Sequence, residues 1–176
     1  MCLANLMFLV PFSHAAWERL TDIFYQNAFA EVNNGGKLRT YAILKTEIGR
    51  VRYLDKIRNY NKRRILTKIR LSNHTLMIEK GRHKGLGKEE RICPFCAEDK
   101  VEDEYHFVFE CPTFNRPRRE LFSKILSAYP NFHCVPPTDK IKIVLDREDT
   151  AEDCCVFLEK AFSVREFLIN KPKNNM

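Results

Sequence analysis

Three cysteines and a histidine fall within nineteen residues of this chain, as Cys-x2-Cys-x9-His-x4-Cys over Cys93, Cys96, His106 and Cys111. Thiolate sulfur and imidazole nitrogen are the donors zinc prefers, and three of one with one of the other make a structural tetrahedral set. A Cys-x2-Cys pair sets two thiolates on one tight turn, here helped by Pro94. His106 and Cys111 stand five apart, so a short helical or turn segment brings both inward. Four protein donors close the coordination sphere and leave no position for an activated water, which argues against metal-dependent hydrolysis. Plain buried cysteines and disulfides are the competing readings. A catalytic Cys–His pair is a third, but nothing marks one thiol as separately activated and no third orienting group is evident. His133, Cys134, Cys154 and Cys155 form a weaker cluster. A second metal site there competes with the blander reading of core cysteines on the last helix.

The residues between the ligands fit a small module. Val101, Tyr105, Phe107, Val108 and Phe109 supply an apolar mini-core. Glu98, Asp99, Glu102, Asp103, Glu104 and Glu110 are expected to stay wet and coat its outside, so that neutralising Glu102, Asp103 and Glu104 leaves binding intact or strengthens it. One carboxylate is expected to orient His106 through its free ring nitrogen. Metal binding would contribute about 10–16 kcal/mol to a module this small.

The charge lies elsewhere. The chain has 176 residues and a net charge of +7. Between residues 37 and 92 there are 17 basic residues against 5 acidic ones, while the remainder is net acidic. Arg58, Lys62, Arg63, Arg64, Lys68 and Arg70 crowd into thirteen residues, with Tyr53 and Tyr60 close by and Asp55 the nearby acid. Cations on one helical surface meet phosphates, and exposed tyrosines stack on bases. The competing reading is an ordinary solvated face. No base-reading pattern is present, so backbone-driven, salt-sensitive binding of RNA or single-stranded DNA is the expectation.

The elements that must position these groups read as mostly helical. Helices are expected over residues 17–32, from 38 to near Gly49, around Leu54 and Ile57, and around Ile65, Leu66 and Ile69, with a break near Asn59–Asn61. Three of the six glycines fall between Gly81 and Gly87, so residues 72–91 read as a loop or short extended piece. A helix starts near Pro117 and stops before Pro130, and residues 133–140 read as a linker barred from helix by Pro136 and Pro137. A final helix follows Thr150, an apparent N-cap with Asp153 three residues on. The fold class is thus mainly α, several short helices around a small loop-rich zinc-binding module. The divisions fall at 1–36 (apolar segment and helix), 37–90 (basic helical region), 91–116 (metal module), 117–170 (C-terminal helices) and 171–176 (tail).

The apolar run at residues 6–12 is too short to span a bilayer. A cleaved signal peptide, with Ser13, His14 and Ala15 as a loose cleavage site, competes with the blander reading of a buried N-terminal segment, and the missing preceding positive charge weighs against it. Seven cysteines, an odd number at metal-like spacing, favour a reducing compartment, nuclear or cytoplasmic, and no membrane partner.

Five segments then fall in a telling order: KLRTYAILK at 37–45, RRILTKIRLSNHTLMIEKGR at 63–82, RICPFC at 91–96, VEDEYHFVFECPTFNRPRREL at 101–121 and FLEKAFSVRE at 157–166. Together they resemble the C-terminal segment of non-LTR retrotransposon proteins, downstream of the reverse transcriptase. The resemblance covers residues 17–167. It implies a zinc-binding, nucleic-acid-associated region that accompanies the polymerase during target-primed reverse transcription. It also implies Cys93, Cys96, His106 and Cys111 as ligands of Zn2+. No paired-aspartate polymerase motif and no endonuclease region stand in this sequence, so polymerase activity does not transfer. The chain is expected to be a fragment or genomic remnant of such an element, with the rest of a retrotransposon polyprotein as a further partner. The expected function is a zinc-binding, non-catalytic nucleic-acid-binding module. The alternative is a structural zinc module that mediates protein–protein interaction.

Overall fold

The computed structural model describes residues 14–34, 37–45 and 51–171. The apolar run at 6–12 and the segment around Gly49 lie outside the described residues. The described chain is mainly α, as the sequence leads one to expect, with no strand among those residues. Eight α-helices follow in order: α1 (His14–Asn34), α2 (Arg39–Leu44), α3 (Tyr53–Lys56), α4 (Tyr60–Arg70), α5 (Met77–His83), α6 (Asn115–Ala128), α7 (Pro137–Leu145) and α8 (Ala151–Asn170). A lone antiparallel bridge joins Ile92 to Val101. No helix of the described residues is long and apolar enough to cross a membrane.

The last helix is the hub. α4 and α6 pack against α8, and α2 packs against α7. Leu66 and Ile69 of α4, Leu121 and Ile125 of α6, and Phe157, Leu158 and Ala161 of α8 are buried in one core. α4, α6 and α8 each bury a stripe spaced at three and four residues, which is why helices of modest propensity hold together here. Asn59 caps α4, its side chain accepting from the Lys62 backbone N–H at 3.1 Å. That cap is the physical form of the expected break near Asn59–Asn61.

Three expectations need correction. Residues 77–83, read as loop, form α5. Gly81 lies inside it because a Cβ there would sit 2.5 Å from the Arg91 side chain, and Gly85 ends the turn at φ 73°. The proline pair does not bar helix but starts one. Pro137 stands at the first position of α7, where its missing N–H is no loss. Thr150 precedes α8 without capping it. Its hydroxyl donates back to the Ile143 carbonyl at 2.6 Å, tying α8 to α7.

α1 is a helix as expected, but its apolar stripe is not buried. Trp17 is 61% exposed, and Leu20, Ile23 and Phe24 are exposed with it.

Candidate metal centre

The chain brings the four expected ligands together through two local devices. Cys93 and Cys96 lie on a turn after Ile92, where the Cys93 N–H donates to the Lys100 carbonyl at 2.8 Å and closes the loop. His106 to Glu110 form a single π-helical turn. A π turn bonds residues five apart, and the Cys111 N–H donates to the His106 carbonyl at 2.7 Å. The five-residue spacing seen in the sequence is the repeat of this turn. It stacks His106 and Cys111 on one side.

The four donor atoms all lie within 4.8 Å of one another. Cys93 Sγ and Cys111 Sγ are 3.9 Å apart, and Cys96 Sγ is 3.4 Å from His106 Nε2. Cys93, His106 and Cys111 are buried, and Cys96 is half-buried. These residues can hold a metal ion, with Nε2 as the imidazole donor. The opposite nitrogen, Nδ1, is buried without a hydrogen-bond partner and faces the Glu110 carboxylate at 3.5 Å. Glu110 in turn accepts from Lys100 at 3.1 Å. This is the carboxylate-to-imidazole arrangement that orients metal-bound histidines, short of a formed hydrogen bond.

Burial governs the thiols. Burial pushes the Cys93 thiol up to about 12, against an opposing hydrogen bond from the Phe95 backbone. Burial also raises the Cys111 thiol, with Thr113 pulling the other way. Clustered thiols in an apolar pocket resist ionising by themselves. A divalent ion reverses that preference, since the thiolate is the ligand.

The acids that separate the ligands behave differently from one another. Glu98, Asp99 and Glu110 are exposed, as expected for a coating. Glu102 is 0% exposed and grips Arg165 of α8 with two hydrogen bonds of 2.8 Å. It also accepts from the Met77 N–H at 2.7 Å. Glu104 is buried and bonds His74 at 2.9 Å and Arg39 of α2 at 3.0 Å. Asp103 accepts from the His106 N–H at 2.8 Å, holding the start of the π turn. Glu102 and Glu104 are therefore not a wet surface. They fasten the module to α2, α5 and α8. The apolar residues do the same, since Phe107 packs on Phe157 and Phe162 of α8 and belongs to the main core.

Arg118 is a participant the sequence did not reveal. Its guanidinium donates to the carbonyls of Val108 at 2.7 Å, Phe107 at 3.1 Å and Cys111 at 2.9 Å. It thus holds the turn that carries two of the four ligands. A signal existed. Arg118, Leu121 and Ile125 share one stripe of α6, and the other two are plainly core positions.

The second cysteine cluster does not assemble. Cys134 is exposed, while Cys154 and Cys155 are buried on α8. Among the described residues, the Cys93 group is the one whose donors converge. Cys155 instead donates to the Lys62 carbonyl at 3.4 Å, joining α8 to α4.

The basic helix divides into two roles. Tyr60 is 67% exposed, and Arg58 and Arg64 are exposed, with Lys62, Arg63 and Lys68 partly so. None of these five cations has a carboxylate within ion-pair distance among the described residues, whereas Lys100, Lys124, Arg147 and Lys160 each do. Tyr60, Arg63, Arg64 and Lys68 line an open groove of about 350 Å³ together with Leu54 and Leu71. Glu159 lines the neighbouring groove with Arg64 and Lys68. Arg70 departs from the expected contact set. It is 2% exposed, pairs with Asp146 at 2.8 Å and lies 4.8 Å over the Tyr53 ring. Tyr53 is buried and hydrogen-bonded to Thr67, so it offers no face for a base. Arg70 and Tyr53 hold α4 in place; they do not face a ligand.

Comparison with family models, with curated proteins and with solved structures finds no match for this chain.

Proposed function

We propose that this chain is a zinc-stabilised nucleic-acid-binding module without chemistry of its own. The observation that carries the metal half is the convergence of four donors within 4.8 Å, one an imidazole nitrogen backed by a carboxylate. A Cys3His set favours zinc over harder cations, which take oxygen donors. The nucleic-acid half is supported by the exposed cations of α4 that lack carboxylate partners, beside an exposed tyrosine. Cations left unpaired on one face suit a polyanion. The zinc module itself is not that face. It is the clamp that fixes α2, α5 and α8 around it. The resemblance to the C-terminal segment of non-LTR retrotransposon proteins is part of this proposal, with RNA or single-stranded DNA as the ligand.

A salt titration tests the nucleic-acid half. Binding of a single-stranded RNA and a single-stranded DNA should weaken steeply with salt, with a slope of roughly −0.7 per phosphate contact. Arg63→Glu with Arg64→Glu should abolish it. Binding at low salt that ignores this double substitution would refute the assignment.

The exposed aromatic stripe of α1 favours a second reading, docking onto a protein partner. Indifference to nucleic acid, with retention of zinc, would select it.

A further inference from the structure

Three arginines are buried among the described residues: Arg70, Arg118 and Arg165. Two have a carboxylate. Arg165 pairs with Glu102 at 2.8 Å, and Arg70 with Asp146 at 2.8 Å. Arg118 is 5% exposed and has none within ion-pair distance. Its partners are the carbonyls of Phe107, Val108 and Cys111 and the side-chain oxygen of Asn115 at 2.7 Å. These take up four of its five N–H donors but bring no formal charge. Burying a cation without a counter-charge is costly, and native proteins pair such groups.

The missing charge is next door. Three thiolates, one neutral imidazole and one divalent ion sum to a single net negative charge. Arg118 holds the carbonyl of Cys111, one of those thiolate residues, and its neighbours on the π turn. Glu110 is engaged by Lys100 and faces His106, and Glu98 is exposed and near Lys100.

We propose that Arg118 is the counter-charge of the metal-loaded centre as well as the residue that positions its His106–Cys111 turn. This rests on the metal reading above and adds to it. In this account the guanidinium is stable in the interior because the loaded site is anionic, and the loaded site is favoured because a cation is fixed beside it. The set is matched to a divalent ion on three thiolates. A neutral site, with two thiolates and two imidazoles, would gain nothing from Arg118 beyond geometry.

The test is a cycle on the full chain under reducing conditions, with zinc as the probe and a chromophoric chelator as competitor. Arg118→Met should weaken zinc by about 10–100-fold, the range for partners behind a ligand set. Arg118→Lys keeps the charge without the fork and should lose clearly less. The decisive arm repeats Arg118→Met in a Cys96→His background, where the loaded set is neutral. The loss there should shrink to the geometric share alone, clearly smaller than in the wild-type background, since coupled groups are not additive. An equal loss in both backgrounds overturns the counter-charge and leaves a purely geometric role. If Cys96→His binds no zinc, or if Arg118→Met fails to fold, Arg118→Lys decides. A lysine variant that keeps zinc within about threefold supports the proposal, and one that loses about 10–100-fold overturns it. Wild type that binds zinc while Arg118→Met is unchanged defeats this inference alone. Wild type without zinc defeats the metal reading with it.

Discussion

Glu102 and Glu98 are the same residue type four positions apart, yet they do opposite work. Glu98 is exposed, whereas Glu102 is sealed against Arg165. Glu102→Gln should leave a buried guanidinium without its charge and destabilise the chain by about 3–5 kcal/mol. Glu98→Gln should stay within about 0.5 kcal/mol. Denaturant unfolding of the zinc-loaded chain reads both. Glu104 makes a pH-dependent prediction. Burial pushes its carboxyl up, but the hydrogen bond and charge of His74, and the charge of Arg39, outweigh that and hold it at about 2. A depressed folded value means the stabilisation is complete above the unfolded value near 4.5 and is lost as pH falls toward 2. The gap corresponds to roughly 3 kcal/mol. The stability difference between wild type and Glu104→Gln should therefore close across that window, and a difference flat with pH would refute it. Nothing local in the sequence separates these carboxylates. Their fates depend on Arg165, His74 and Arg39, which lie 63, 30 and 65 residues away. The four residues that can hold a metal ion were legible because their geometry is local, a tight turn and a π turn.

At the scale of elements, α4 is where sequence and structure agree on an element but divide over its residues. The break before it and its apolar stripe were readable from Asn59–Asn61 and from Leu66 and Ile69, though not that Asn59 caps it. That Arg70 turns inward was not, because a cation at the end of a basic helix reads as one more surface charge until Asp146 and Tyr53 are in place. The two classes of residue should separate experimentally. Tyr60→Ala should weaken single-stranded nucleic acid binding by about 1–3 kcal/mol with stability unchanged. Arg70→Ala should destabilise the chain by about 2–5 kcal/mol, through the cavity left beside the Tyr53 ring rather than through Asp146, which is partly exposed. Equal stability loss from both would contradict the division. The missed elements have one cause each. α5 was hidden by glycines that answer to Arg91 and to a left-handed turn, and α7 by prolines that belong at a helix start.

For the whole molecule, the metal module is not a satellite. Cys93, Phe107, Val108 and Cys111 share the core with Leu66, Leu121, Phe157 and Leu158. Metal removal should therefore loosen α6 and α8 as well as the module, and chelation should lower the far-ultraviolet helical signal in one cooperative step. A loss confined to the module, with α8 intact, would contradict that coupling. Binding by α4 should fall with it, since α4 packs on α8. The measurement that tests the account most directly is metal analysis of the full chain purified under reducing conditions, beside Cys93→Ser and His106→Ala. The account predicts about one zinc per wild-type chain and loss of it in both variants. A metal-free wild-type chain, or variants that keep their zinc, would contradict it.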